Sequence, residues 1–269
     1  MSPSPTDLRA RFLAAYDTHL RTDSETRSAV TVTLLGPLRL ATFAGGRGFV
    51  TYGPLPDLGP DAFGQLVPDA LEQFRDDPDI TRIEWKTRGH DTAPGLHEAL
   101  VHYGFVPDER ESIMIGETSD LAGDVPLPAG VILRQITDEL DVRAMSAMED
   151  EAFGDEVSDD RAEALLHRLG RDDGMELWVA EVEGKVVSAG RLEPVPDSDF
   201  AGIWGGATLS DWRGRGIYRA VTAARARSAL AQRKSLIHSD STEYSRPILE
   251  RSGLMAVSTT TPYRWSRSG

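Results

Sequence analysis

The chain has 269 residues, 40% of them apolar, and its 29 basic and 43 acidic side chains give a formal charge of −14. That length suits two domains, the apolar share rules out a disordered chain, and the negative charge argues against nucleic acid, whose phosphates would be repelled. Disulfides, thiolate metal sites and a cysteine nucleophile are excluded, because there is no cysteine.

Read along the chain, residues 6–21 predict a first helix with Thr6 as its cap, and 31–43 and 48–53 predict strands. Residues 60–76 place Phe63, Leu66, Ala70, Leu71 and Phe74 at helical spacing. A strand at 80–87, a short helix at 94–104 and a strand at 110–116 follow. Segment 117–130 carries Pro, Gly and acids without a period, so the domain boundary is expected there, with domains at 1–120 and 129–269. Beyond it come a strand at 131–136, helices at 138–151 and about 159–170, and strands at 176–183 and 185–194 joined at Glu183-Gly184. A strand at 200–209, a helix at 219–233, a strand at 235–240, a helix at 242–253 and a strand at 255–265 close the chain. No apolar run approaches the ~18 residues of a membrane span, and the start lacks the apolar core of a signal peptide, so a cytoplasmic setting with no membrane is expected.

The halves echo each other. A strand ends at Asp91 and Gly104 closes the next helix; a strand ends at Asp240 and Gly253 closes the next helix, at the same spacing. The repeated order predicts a duplicated fold, although a strand–helix–strand unit also recurs by chance.

Ten residues stand out in an acidic chain. Ser210-Asp-Trp-Arg-Gly-Arg-Gly-Ile-Tyr-Arg219 packs three arginines and two glycines ahead of an alanine-rich helix. Helix starts carry unpaired N–H groups and the positive end of the dipole; Gly214 and Gly216 leave room for a ligand, and Arg213 and Arg215 add forked donors. The stretch therefore suits a diphosphate, against the plainer reading of a solubilising turn. Its spacing is neither a dinucleotide fingerprint nor a Walker loop.

Arg213-Gly214-Arg215-Gly216-Ile217-Tyr218 resembles the acetyl-CoA signature of the GNAT acyltransferase superfamily, with Arg213 in the first position and Gly216 as the glycine. Tyr218 stands where a small residue is usual, a departure that an outward-pointing side chain would tolerate. The resemblance covers 129–269. The first half resembles the same fold without a signature: residues 53–63 hold three prolines and no basic residue. The fold class expected is therefore α+β, two GNAT-like domains in tandem, each a mixed, mostly antiparallel twisted sheet flanked by helices, the first a degenerate copy that does not bind the cofactor.

The resemblance implies acetyl-CoA as acyl donor and N-acetyl transfer to a small amine by direct attack. It places Gly206, Ala207 and Thr208 along the pantetheine arm, Gly214 through Arg219 (including Ile217 and Tyr218) on the diphosphate, and Thr242 where an asparagine is usual. Leu249 occupies the family's tyrosine position, and Tyr244 or Ser245 are substitutes for that acid. Glu193 and His238 are the candidate proton carriers, each with a structural alternative: a solvated turn carboxylate and a packed strand histidine. Acids at 149–160 favour a cationic acceptor, unless they are a solvated helix face. A protein or peptide acceptor and a non-catalytic acyl-CoA sensor stay open, as do monomer and homodimer. No metal-ligand pattern is present.

Overall fold

The computed structural model describes residues 4–55 and 58–267, which form two compact units. The first comprises the described residues up to Ile113 with 240–243 and those from Ala256 onward; the second comprises Met114–Ser239 and Tyr244–Met255. The division thus falls at Ile113/Met114 rather than within 117–130, and the final strand, expected with the second half, groups with the first. Among the described residues no helix is long and apolar enough to cross a membrane.

The first unit runs α1 (Pro5–His19), β1 (Thr31–Leu35), β2 (Leu38–Phe43), β3 (Arg47–Tyr52), α2 (Pro60–Arg75), β4 (Arg82–Arg88), α3 (Leu96–His102) and β5 (Val106–Pro107). Helix α1 starts two residues earlier than Thr6 would allow, because Ser4 is the cap and its side chain accepts from the Asp7 N–H. The strand expected over 31–43 is a hairpin, turned at Gly36, whose φ of 56° suits a residue without Cβ. β1, β2 and β3 pair antiparallel; β3 and β4 pair parallel; the last strand (Met255–Ser266) pairs antiparallel with β4, Tyr263 opposite Trp85. The stripe of α2 packs here: Phe63, Val67, Ala70, Leu71 and Phe74 close on Leu38, Val50, Ile83 and Trp85, with Leu66 at the margin. Each fully buried aliphatic or aromatic side chain contributes about 1.5–3 kcal/mol.

In the second unit, β6 (Glu111–Glu117), which straddles the division, and a single-turn α4 (Thr118–Leu121) lead into β7 (Val131–Ile136). Helices α5 (Glu139–Phe153) and α6 (Asp160–Leu169), strands β8 (Glu176–Val182), β9 (Lys185–Pro194) and β10 (Phe200–Thr208), helix α7 (Ile217–Ala231), strand β11 (Leu236–Ser241) and helix α8 (Arg246–Arg251) follow. β7 to β10 form an antiparallel run, with the β8–β9 turn at Glu183 and Gly184, both at positive φ. β10 and β11 are parallel. Strand residues alternate between faces, so Val179, Ala189 and Ala207 meet α5 and α6 on one side, and Ala180 and Val187 meet Ile217 and Val221 of α7 on the other.

The repeat is visible in the pairing. β1-β2-β3-α2-β4-α3 and β8-β9-β10-α7-β11-α8 share element order, two antiparallel pairs and then a parallel one, and Gly104 and Gly253 follow the last helices at positive φ.

Candidate functional site

The site is built around an irregularity in β10. Trp204 pairs with Arg191 and Ala207 with Ala189, so Gly205 and Gly206 face the single residue Gly190 of β9. This is a β-bulge, and Gly205 adopts a φ of 60°. The parallel ladder to β11 ends at Gly202–His238 although β10 continues to Thr208. Ala207 and Thr208 are buried; the Ser188 hydroxyl donates to the Ala207 carbonyl at 2.7 Å and lies 2.8 Å from the Thr208 hydroxyl.

The bulge is held from the α7 side by Arg225, a fully buried guanidinium. It donates to the carbonyls of Arg191 (3.2 Å) and Trp204 (3.3 Å) and to the Thr222 hydroxyl (3.1 Å). Gly190 makes this possible, since a Cβ there would stand 2.6 Å from the guanidinium. Tyr218, from the first turn of α7, does not point outward: its ring lies 2.7 Å from where a Cβ of Gly206 would stand. The small-residue position is filled because the bulge glycine makes room for it.

After β10 the chain makes a short 3-10 turn at Ser210–Trp212, then reaches Gly214 and Gly216 at φ 74° and 82°. Gly216 is the cap residue of α7 and, having no side chain, makes no capping hydrogen bond to the helix. Among the described residues, apart from its two chain neighbours, nothing lies within 4 Å of a Cβ placed on Gly214. Arg215 and Arg219 are exposed, the former over the Trp212 ring at 4.8 Å. An open glycine turn, uncapped helical amides and two exposed guanidiniums fit a diphosphate. Arg213 is employed differently from the expectation: its guanidinium donates to the carbonyls of Thr208 (2.9 Å) and Ala152 (3.1 Å), tying the turn to β10 and α5.

Other candidates are distributed unevenly. Glu193 pairs with Arg191 at 2.7 Å and Arg168 at 3.2 Å. Burial raises its pKa, but the two guanidiniums outweigh this and hold it below the ordinary carboxylate value. That is the reverse of what a base near neutrality needs. His238 is buried edge-on to the rings of Phe200 (5.8 Å) and Trp204 (5.2 Å). Thr242 is half-buried in the segment that groups with the first unit. Leu249 is buried core, Tyr244 is 87% exposed, and Ser245 precedes α8. Of the acids at 149–160, Glu149 and Asp150 are buried, Asp150 and Asp155 pair with Arg161, and Asp159 pairs with Arg143. Only part of that run is a free negative surface.

Sequence reasoning passed over Arg225, Gly190 and the singular position of Glu149. One signal was present for Glu149: it continues the stripe Val142, Met145, Ser146 at helical spacing, the face that α5 buries.

Residues 142–253 match the family model described as "Acetyltransferase (GNAT) family". Among solved structures the chain is similar to a GCN5-related N-acetyltransferase from Kribbella flavida (20% identity, 97% of this chain and 96% of that one, TM-score 0.67). It is also similar to a functionally unknown conserved protein from Staphylococcus epidermidis ATCC 12228 (12%, 92% and 98%, TM-score 0.67). A third is a tandem GNAT protein from the clavulanic acid biosynthesis pathway (15%, 86% and 79%, TM-score 0.60). A search of curated proteins by sequence finds no match. The family match spans the bulge, the glycine turn and α7, so residues 142–253 form a domain that matches the GNAT acetyltransferases, acyltransferases that take their acyl group from acetyl-CoA.

Proposed function

We propose that this enzyme transfers an acetyl group from acetyl-CoA directly to the nitrogen of a small amine, and that only the second unit binds the acyl donor. The observation that carries the reading is the continuity of the Gly205–Gly206 bulge with the Gly214–Gly216 turn and the uncapped start of α7. Acetyl-CoA supplies a thioester acyl group. The backbone of Gly206, Ala207 and Thr208 would line its arm, and Gly214, Arg215, Gly216 and the amides of Ile217, Tyr218 and Arg219 would take the diphosphate. Arg225 and Arg213 fix the bulge and the turn in advance of binding, which lowers the ordering cost of holding a ligand.

The silent first unit is supported by what fills its equivalent place. The β3–β4 ladder ends at Val50–Trp85, and beyond it buried arginines occupy the strand's carbonyls. Arg88 donates to Tyr52 O at 3.3 Å and to Glu25 at 2.6 Å; Arg21 donates to Gly53 O at 2.9 Å and, with two nitrogens, to Asp91. Helix α2 begins at Pro60, which lacks an N–H, after Gly59 in extended geometry rather than at positive φ. Part of the intervening turn, Pro56 and Asp57, lies outside the described residues.

Titration calorimetry with acetyl-CoA, followed by a thiol-release assay across polyamines, aminoglycosides, amino acids and peptides, tests the reading. One site per chain and turnover with a small amine are expected. Two sites per chain would overturn the silent first unit, and binding without turnover would favour a sensor.

A further inference from the structure

The second unit contains a buried carboxylate that none of the roles above employs. Glu149 has no exposed surface, and neither of its oxygens has a hydrogen-bond partner among the described residues. The nearest guanidinium atom paired with it, Arg161 Nε, is 3.9 Å from Oε2 and donates instead to Asp150 at 2.9 Å. Leaving a carboxylate buried without hydrogen bonds is costly in any fold. The carboxylate is also aimed: Oε1 lies 2.9 Å from the point where a Cβ of Gly205 would stand, at the bulge itself. Gly205 itself is half-exposed.

The charges that act on Glu149 are Arg191 of β9, Arg161 of α6, Asp150 of its own helix and Arg225 of α7. Arg191 reaches the same notch, 3.4 Å from the Gly205 Cβ point, while its Nε holds Glu193. Two carboxylates beside one bulge are thereby set to different tasks, Glu193 locked as an anion and Glu149 left without a bond.

We propose that Glu149 is the group that takes the ammonium proton of the acceptor at the Gly205 notch. The proposal rests on the N-acetyltransferase reading above. One proton passes from the acceptor ammonium to Oε1. The freed nitrogen lone pair then forms the C–N bond to the thioester carbonyl carbon, and the C–S bond breaks with its electron pair going to sulfur. The second nitrogen proton is lost as the amide forms and is matched by protonation of the thiolate; Glu149 returns its proton to solvent. Burial pushes the Glu149 pKa up to about 7, against the pull of Arg191 and Arg161, which suits a proton acceptor working near neutrality.

Glu149→Gln keeps the shape and removes the titration. Its kcat/KM for the amine should fall on the order of 100-fold at neutral pH, with the acidic limb of the wild-type pH profile abolished and the Kd for acetyl-CoA unchanged. Glu149→Asp should recover part of the rate and restore a limb. Independently of turnover, carboxyl NMR of the ligand-free chain should show a Glu149 signal, assigned by its loss in Glu149→Gln, that titrates near neutrality and shifts on adding the amine. A Glu149→Gln enzyme with unchanged rate and the same acidic limb would overturn the assignment while leaving the acetyltransferase reading intact. So would a carboxyl signal indifferent to the amine. A wild-type chain that binds acetyl-CoA but acetylates no amine would overturn both.

Discussion

Tyr218 lies across Gly206, its ring carbon 2.7 Å from the position a Cβ would take and its hydroxyl oxygen 3.1 Å from it. Gly206→Ala should therefore force the ring aside and destabilise the chain by about 1–3 kcal/mol, the usual cost of overpacking. Tyr218→Ala in the same chain should recover most of that loss. Urea unfolding of the two single variants and the double variant measures the coupling, and additive effects would show that the ring and the glycine do not constrain each other.

Gly214 and Gly216 separate two effects at the glycine turn. Gly214→Ala meets open space, so only its φ of 74° is penalised, and a loss of about 1 kcal/mol is expected. Gly216→Glu adds a carboxylate at the start of α7, and its Kd for acetyl-CoA should rise on the order of 100-fold in titration calorimetry. An unchanged Kd would place the diphosphate elsewhere.

Arg225 should be structural as well as functional. Arg225→Met leaves the carbonyls of Arg191 and Trp204 without their buried donor, and a loss of about 3–5 kcal/mol in denaturant unfolding is expected. At temperatures where the variant stays folded, kcat should drop more than the Kd for acetyl-CoA changes, because the bulge and not the glycine turn loses its support.

Stability should depend on pH in two opposite ways. Glu25 in the first unit is pushed up by burial, but Arg88 and Lys86 outweigh this and lower its pKa from 4.5 to about 2. Its contribution, about 3 kcal/mol, is present above pH 4.5 and lost as pH falls through 2. Glu149 is raised from 4.5 to about 7, so the folded state holds a proton that the unfolded chain has released. Stability then declines by a similar amount as pH rises from 4.5 through 7. Glu149→Gln should flatten that decline in unfolding free energies measured across the range, and Glu25→Gln should remove the acid-side loss while destabilising the chain at neutral pH by stranding Arg88.

Much of the fold and half of the candidate site were legible from residue order. The stripe of α2, the turn at Glu183-Gly184, the repeated spacing to Gly104 and Gly253 and the glycine turn before α7 are local patterns, and local patterns fix dihedral angles and buried faces. Arg213 and Glu193 show where that ends. Both have the right residue type in the right segment, yet Arg213 binds two carbonyls and Glu193 binds two guanidiniums, because partners from α5, α6 and β9 reach them first.

Sequence alone determined the element types, the duplicated order and the glycine turn, since these follow from side-chain periodicity and from backbone freedom at single residues. Only the tertiary structure decided which carboxylate is locked and which is left bare, that Tyr218 folds over Gly206, and that residues from Ala256 onward join the first unit. Those outcomes depend on desolvation and on charges brought together from distant segments, quantities that have no value until the chain has folded.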